Sequence, residues 1–128
     1  METKFTSSIK MPSELGASVM LKDSDIQGVG LFAKQDIFEG DFLQYTHIYH
    51  PKYKDWVSLD PNYKYNHSVA SENCEVVMDE RVLISHNGED VRTFAFKLLA
   101  LKNIPEGDEL LVNYTKNKSL EQPEKEWI

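Results

Sequence analysis

Two stretches of this chain repeat one pattern. Phe32-Ala33-Lys34-Gln35-Asp36-Ile37-Phe38-Glu39-Gly40-Asp41 is matched by Leu99-Ala100-Leu101-Lys102-Asn103-Ile104-Pro105-Glu106-Gly107-Asp108, with Ala, Ile, Glu, Gly and Asp at the same offsets. Each copy reads as a strand, a turn ended by glycine and a returning strand. Shared turn chemistry alone explains part of the likeness, because glycine after an acidic residue is a common way to reverse a chain. Two copies do not make a solenoid, which needs about three or more stacked units. They do point to two similar sheet corners within one small β-rich fold.

The rest of the chain agrees with a β-rich reading. Short apolar runs broken by turn residues favour strands. Val19-Met20-Leu21 is a first strand, Leu31-Phe32-Ala33 a second, and Phe42 to Tyr49 a longer one. Pro51 and Pro61 bound a polar, aromatic segment. Glu75 to Ser85 reads as two strands or a hairpin arm, with Asp79-Glu80-Arg81 near a turn. Asn87-Gly88 is a strong turn signal. Val91 to Leu101 has apolar spacing that a helix would accept, but Val91, Thr93, Phe94 and Phe96 favour a strand. Leu110-Leu111-Val112 is wholly apolar and reads as a buried strand. Residues 1–17 form an N-terminal arm, 18–115 the domain, and 116–128 a Lys/Glu-rich tail ending in Trp127-Ile128.

With 128 residues, 41% hydrophobic and 27% charged, the chain is long enough for one domain with one core. No apolar run approaches membrane-spanning length, and the N-terminus lacks the basic-then-apolar pattern of a secretory signal. Cys74 is the single cysteine, so an internal disulfide and an all-cysteine zinc cluster within one chain are excluded. A reduced, intracellular setting, cytoplasmic or nuclear, fits that composition. The net charge of −7 disfavours direct nucleic-acid binding, which relies on Lys and Arg. It is compatible with a basic peptide partner, but an acidic surface that simply keeps the chain soluble is the favoured reading, since no single acidic block dominates.

Three short pieces carry chemistry. Gly28-Val29-Gly30 offers backbone that a ligand can approach closely, with amides available to a carboxylate. It is no dinucleotide fingerprint, since the third glycine is missing, and such a spacing is usually just a turn. Asn66-His67-Ser68 can present donors and an acceptor to a polar ligand, or simply cap a turn. Tyr114 closes the apolar run before it, either as a core tyrosine with a satisfied hydroxyl or as a phenol at the end of a dry channel. His47 and His50 have metal-like spacing, but on a strand they would point to opposite faces, so no metal site is expected. Cys74 reads as a small buried residue rather than a nucleophile.

Taken in order, these pieces resemble the SET domain, a mainly β fold of several small sheets with little helix and a C-terminal pseudoknot. The likeness lies in Gly28 and Gly30, then Asn66, His67, Ser68, Asn73 and Cys74, then Gly107-Asp108-Glu109-Leu110-Leu111-Val112-Asn113-Tyr114. It covers roughly residues 19 to 115. The resemblance implies a protein-lysine methyltransferase. S-adenosylmethionine would lie against Gly28, Val29 and Gly30 and against Asn66 and His67, leaving as S-adenosylhomocysteine. The substrate lysine would enter from the opposite face, through a channel shaped by Tyr45, Tyr65 and Val112. Tyr114 would be catalytic where the two meet. Val112, two residues before that tyrosine, is small, which implies room for di- or trimethylation.

The chain also departs from the resemblance. The stretch between Ser68 and Asn73 is one residue longer than the common pattern, with Glu72 where proline is usual, and Lys64-Tyr65 replaces the usual pair before Asn66. The segment that normally contacts substrate is very short, and the cysteine-rich piece that often follows is missing, as in the minimal forms found in viruses of algae. Trp127 or a second subunit in a homodimer would then cover the channel. The expected partner is a lysine-bearing protein or peptide, histone tails being the best-known targets of the family, with no membrane involved. Two other classes compete: a noncatalytic module of the same fold that grips a basic peptide, and a structural β-clip protein. A methyltransferase for a small amine is a variant of the leading reading.

Overall fold

The structure is a computed structural model, and it describes residues 3–6, 15–26 and 28–116. The regular elements among the described residues are nine strands and one 3-10 turn: β1 (Thr3–Thr6), β2 (Val19–Asp23), β3 (Val29–Ala33), β4 (Phe42–His50), β5 (Asp55–Ser58), β6 (Asn66–His67), β7 (Cys74–His86), β8 (Glu89–Ala100), β9 (Leu111–Val112) and the turn Tyr114–Lys116. One sheet runs β5-β4-β8-β7-β9-β6, with β1 beside β7, and β2 and β3 form a separate antiparallel pair. The run from Val91 is therefore strand as far as Ala100, in keeping with its β-branched and aromatic residues.

The repeated segments do more than form similar corners; they hold each other. Ile37 and Ile104 exchange both backbone hydrogen bonds, at 2.9 and 2.8 Å, and each is buried. Gly40 N–H donates to the Ala100 carbonyl, and Gly107 N–H donates to the Ala33 carbonyl, each at 2.8 Å. Asn103 Oδ1 accepts from Glu39 N–H, and Asp36 Oδ1 accepts from Glu106 N–H. Each of these contacts of one copy is returned by the other, so the pair is a local pseudo-two-fold. The glycines are needed at φ of +88° and +93°, where a Cβ would be strained. The matching continues upstream, where Val19 pairs with Ala33 as Cys74 pairs with Ala100.

The repeat also explains the core. Val19, Leu31, Ala33, Ile37 and Leu43 from the first half meet Cys74, Leu98, Ala100, Ile104 and Leu110 from the second in one cluster. Fully burying a side chain of Leu or Ile size contributes about 1.5–3 kcal/mol each. A second cluster of Ile48, Leu59, Val82, Ile84 and Ala95 lies towards the hairpin end of β7 and β8.

One sequence expectation is corrected. Cys74–His86 is one strand, the arm of a hairpin with β8, and not two strands with a turn between them. Asp79-Glu80-Arg81 marks a bulge: the register against β8 slips between Asp79 and Val82, and Asp79 Oδ1 accepts from Arg81 N–H. The reversal comes at Asn87-Gly88, where φ is +51° and +81°, the left-handed pair that a two-residue hairpin favours. Within the expected arm, Thr3–Thr6 runs parallel to β7 opposite Val82 to Ser85.

Candidate active site

The site is built by the way β9 enters the sheet. β9 lies between β6 and β7, parallel to both. Residues 68–73, which join β6 to β7, must therefore cross it. Ser68 N–H donates to Val112 O and Asn73 N–H donates to Leu111 O, each at 3.0 Å. The Asn73 side chain completes the clamp, its Nδ2 donating to Glu109 O and its Oδ1 accepting from Leu111 N–H, both at 2.8 Å. A side-chain amide here does the work of a missing strand neighbour. This crossing brings residues 66–67 beside residue 114.

Several contacts hold Tyr114. Its backbone N–H donates to His67 Nδ1 at 3.0 Å, its hydroxyl donates to the Tyr65 carbonyl at 2.6 Å, and its ring packs edge-on to Tyr65. Since His67 Nδ1 accepts, the imidazole proton sits on Nε2. That nitrogen is buried and has no hydrogen-bond partner among the described residues. A buried donor left unmet is costly, so it marks a place for a further polar group.

On one side of this junction, Gly30 faces Asn66. A Cβ at Gly30 would stand 2.3 Å from Glu109 Oε2 and 3.0 Å from Asn66 Nδ2, so only glycine leaves the Glu109 carboxylate in this position. The Glu109 carboxylate accepts from Asn66 Nδ2 at 2.7 Å and from the Ser24 hydroxyl at 2.8 and 2.9 Å. Because the amide nitrogen is committed to Glu109, Asn66 is oriented rather than free to flip. Gly28 (φ +51°) and Val29 are exposed at the edge of the same strip. The predicted residues Gly28, Val29, Gly30, Asn66 and His67 are thus brought together. An oriented amide, a glycine edge and an unmet buried imidazole N–H fit the polar groups of S-adenosylmethionine. From the sequence, Glu109 was read as part of the Gly107–Tyr114 motif but given no role at the site, and Ser24 was not singled out. Their signal is long-range, and only the fold reveals it.

On the other side lies a cavity of about 260 Å³ lined by Tyr65, Val112 and Tyr114 together with His47, Tyr63, Glu72, Cys74, Glu75, Val76, Val77, Asn113 and Lys116. Tyr45 is not in this lining. Its hydroxyl donates to Asp79 Oδ2 at 2.8 Å, and its ring packs on Phe42 and beside the second core cluster. His47 takes the wall instead, because the β4 register shifts between Tyr45 and His47 and turns the two side chains apart. Burial pushes the His47 imidazole down to about 4 and the Cys74 thiol up to about 12, so both are neutral near pH 7. His50 is turned away, packed against Tyr53 and His86. Among the described residues no group of three or more His, Cys, Asp or Glu is placed to hold a metal, and no helix is long and apolar enough to cross a membrane. Trp127 lies outside the described residues.

Comparison with known proteins agrees with this geometry. The SET domain family model matches residues 28–115. A candidate histone methyltransferase of Plasmodium falciparum superposes with a TM-score of 0.57 at 19% identity, over 79% of this chain and 96% of that one. A doubly substituted apo form of the Chaetomium thermophilum Polycomb repressive complex 2 gives a TM-score of 0.56 at 25% identity, covering 80% of this chain and 15% of that one. The same complex in an autoinhibited conformation bound to S-adenosylmethionine gives 0.52 at 24% identity, again with 15% of the larger chain covered. No curated protein matches the sequence. The family match runs from the glycine edge to the residue after Tyr114, over the strips of sequence that β9 draws together, and the chain belongs to the SET domain family.

Proposed function

We propose that the chain is a protein-lysine N-methyltransferase that uses S-adenosylmethionine. The observation that carries the reading is the position of Tyr114 between the Gly30–Asn66–His67 strip and the cavity bounded by Tyr65 and Val112. When bound, S-adenosylmethionine supplies a methyl group on a positively charged sulfur. Asn66, oriented by Glu109, and the backbone of Gly28 to Gly30 would hold its polar end. The apolar walls from Cys74, Val76 and Val112 would keep water from a lysine amine, and desolvation lowers the pKa of an amine so that it sheds its proton more easily. The Tyr114 hydroxyl hydrogen is committed to the Tyr65 carbonyl, so its oxygen meets an incoming amine as an acceptor and aligns it. Orientation and electrostatics carry most of the rate gain, and no strong side-chain base is required.

The direct test is incubation with S-adenosylmethionine and a panel of lysine-bearing proteins, histones included, read by mass spectrometry. Val112 is small and borders the cavity, so products with two or three methyl groups are expected. Val112→Phe should stop at one. Monomethyl product alone from the unsubstituted protein, at long times and high enzyme, would contradict the assignment of Val112. Absence of lysine methylation across the panel would favour a module that grips a basic peptide without catalysis.

The glycine edge makes a second prediction. Gly30→Ala should push the Glu109 carboxylate aside and release Asn66, because the added carbon would overlap Oε2. The atom displaced is the end of a flexible side chain, so the fold should survive. Loss of charge-assisted contacts of about 1.5–3 kcal/mol corresponds to roughly ten- to hundredfold weaker binding of S-adenosylmethionine. Calorimetry with a parallel melting curve checks both halves, and unchanged affinity would remove Glu109 from the site.

A further inference from the structure

We propose that Glu72 is the residue that binds a cationic side chain of the substrate, and that Lys116 occupies its carboxylate in the free domain. The inference deepens the methyltransferase reading and takes from it the identity of the cavity. Glu72 sits in the segment that crosses β9, next to the clamp residue Asn73. Its Oε1 is 2.8 Å from Lys116 Nζ, while its Oε2 is shut off from water and has no hydrogen-bond partner among the described residues. The Glu72 side chain is 20% exposed and that of Lys116 is 54% exposed. The carboxylate is therefore mostly inside the cavity wall, whereas the lysine that meets it is half in water.

That asymmetry decides how the pair behaves. An ammonium half in water gains little from one carboxylate oxygen, so Lys116 is easily displaced. The carboxylate has acceptor capacity that this contact does not use. A lysine or arginine side chain arriving through the cavity would take the place of Lys116 at Oε1, and once Lys116 has left, a guanidinium could extend a second parallel bond to Oε2. Glu75 lines the same cavity and adds a second negative charge. Lys116 lies two residues after Tyr114, in the turn that ends the described chain, so it shares the cavity with the position proposed for the target amine. It acts as an internal competitor of the substrate.

The test is a binding cycle read by fluorescence anisotropy, with a labelled peptide of alternating lysine and alanine as probe. Lys116→Met should tighten binding several-fold, because the competitor is gone. Glu72→Gln keeps the shape and should weaken binding roughly tenfold, the scale of one hydrogen bond to a charged group. The double variant should bind as weakly as Glu72→Gln alone, since Lys116 competes only for Glu72. Lys52→Met, which breaks a pair with Glu89 away from the cavity, calibrates the general effect of removing one positive charge. Tightening by Lys116→Met that equals the Lys52→Met effect, or that persists in the Glu72→Gln background, would overturn the proposal. The Lys116→Met arm alters a half-exposed side chain and so tests the idea even if Glu72→Gln folds poorly. Calorimetry with S-adenosylmethionine separates this proposal from the methyltransferase reading. A protein that binds the peptide through Glu72 but ignores S-adenosylmethionine keeps the cation site and loses the enzymatic assignment.

Discussion

Tyr114→Phe is expected to lower the rate of lysine methylation by about 10²–10³, the usual cost of removing one preorganised polar group from a reacting centre. Affinity for S-adenosylmethionine should stay within about twofold, because the contacts proposed for it come from Gly28 to Gly30, Asn66 and His67. The substitution leaves the ring contacts with Tyr65 and His67 in place and keeps the backbone N–H that donates to His67 Nδ1. It removes the 2.6 Å bond to the Tyr65 carbonyl, which should destabilise the fold by only about 1 kcal/mol. Single-turnover methylation, measured with saturating peptide, reads the chemical step apart from binding. A loss below about threefold would show that the phenol oxygen does not act on the amine.

Acidification should destabilise the domain through His47. This imidazole is 8% exposed, and burial holds its pKa at about 4. Its folded pKa lies below the unfolded value of about 6.5, so its contribution is present above pH 6.5 and is lost as pH falls towards 4. The loss between pH 7 and pH 4 is about 3 kcal/mol, a large part of the 5–15 kcal/mol typical of a domain. His50 is lowered as well, first by burial and then by the charge of His86, and pushes stability the same way. Asp79 is also held down: burial opposes its charge, but the Arg81 N–H, the Tyr45 hydroxyl and Lys97 outweigh it, so its contribution fades only at lower pH. Urea melts at pH 7 and pH 4 should therefore differ less for His47→Gln than for the unsubstituted protein. Equal pH dependence in the two would contradict a neutral, buried His47.

Much of the fold is legible in the sequence because the repeat obeys short-range rules. A glycine at φ near +90° and an acidic neighbour recur in each copy, and the matched isoleucines announce a shared core. Asn87-Gly88 is read equally directly. The Asp79-Glu80-Arg81 misreading has a physical cause: a run of charged residues suits a bulge as well as a turn, and only the partner strand decides between them. The same kind of irregularity in β4 separates Tyr45 from His47 and brings the histidine to the cavity. Gly30, Asn66, His67 and Tyr114 were visible through their residue types and order. Glu109, Ser24 and Glu72 were not read as site residues, because their roles come from contacts across distant parts of the chain or from a neighbour that only the β9 crossing supplies.

The most direct measurement is a calorimetric titration of the purified protein with S-adenosylmethionine, with Asn66→Ala alongside. Asn66 is held by Glu109 against Gly30, so it is the side chain on which the cofactor strip depends most. Saturable binding that disappears in Asn66→Ala, with the variant still folded by its melting curve, is the expected result. No heat at millimolar ligand, or equal affinity in the two proteins, would contradict the assignment of this strip as the cofactor site.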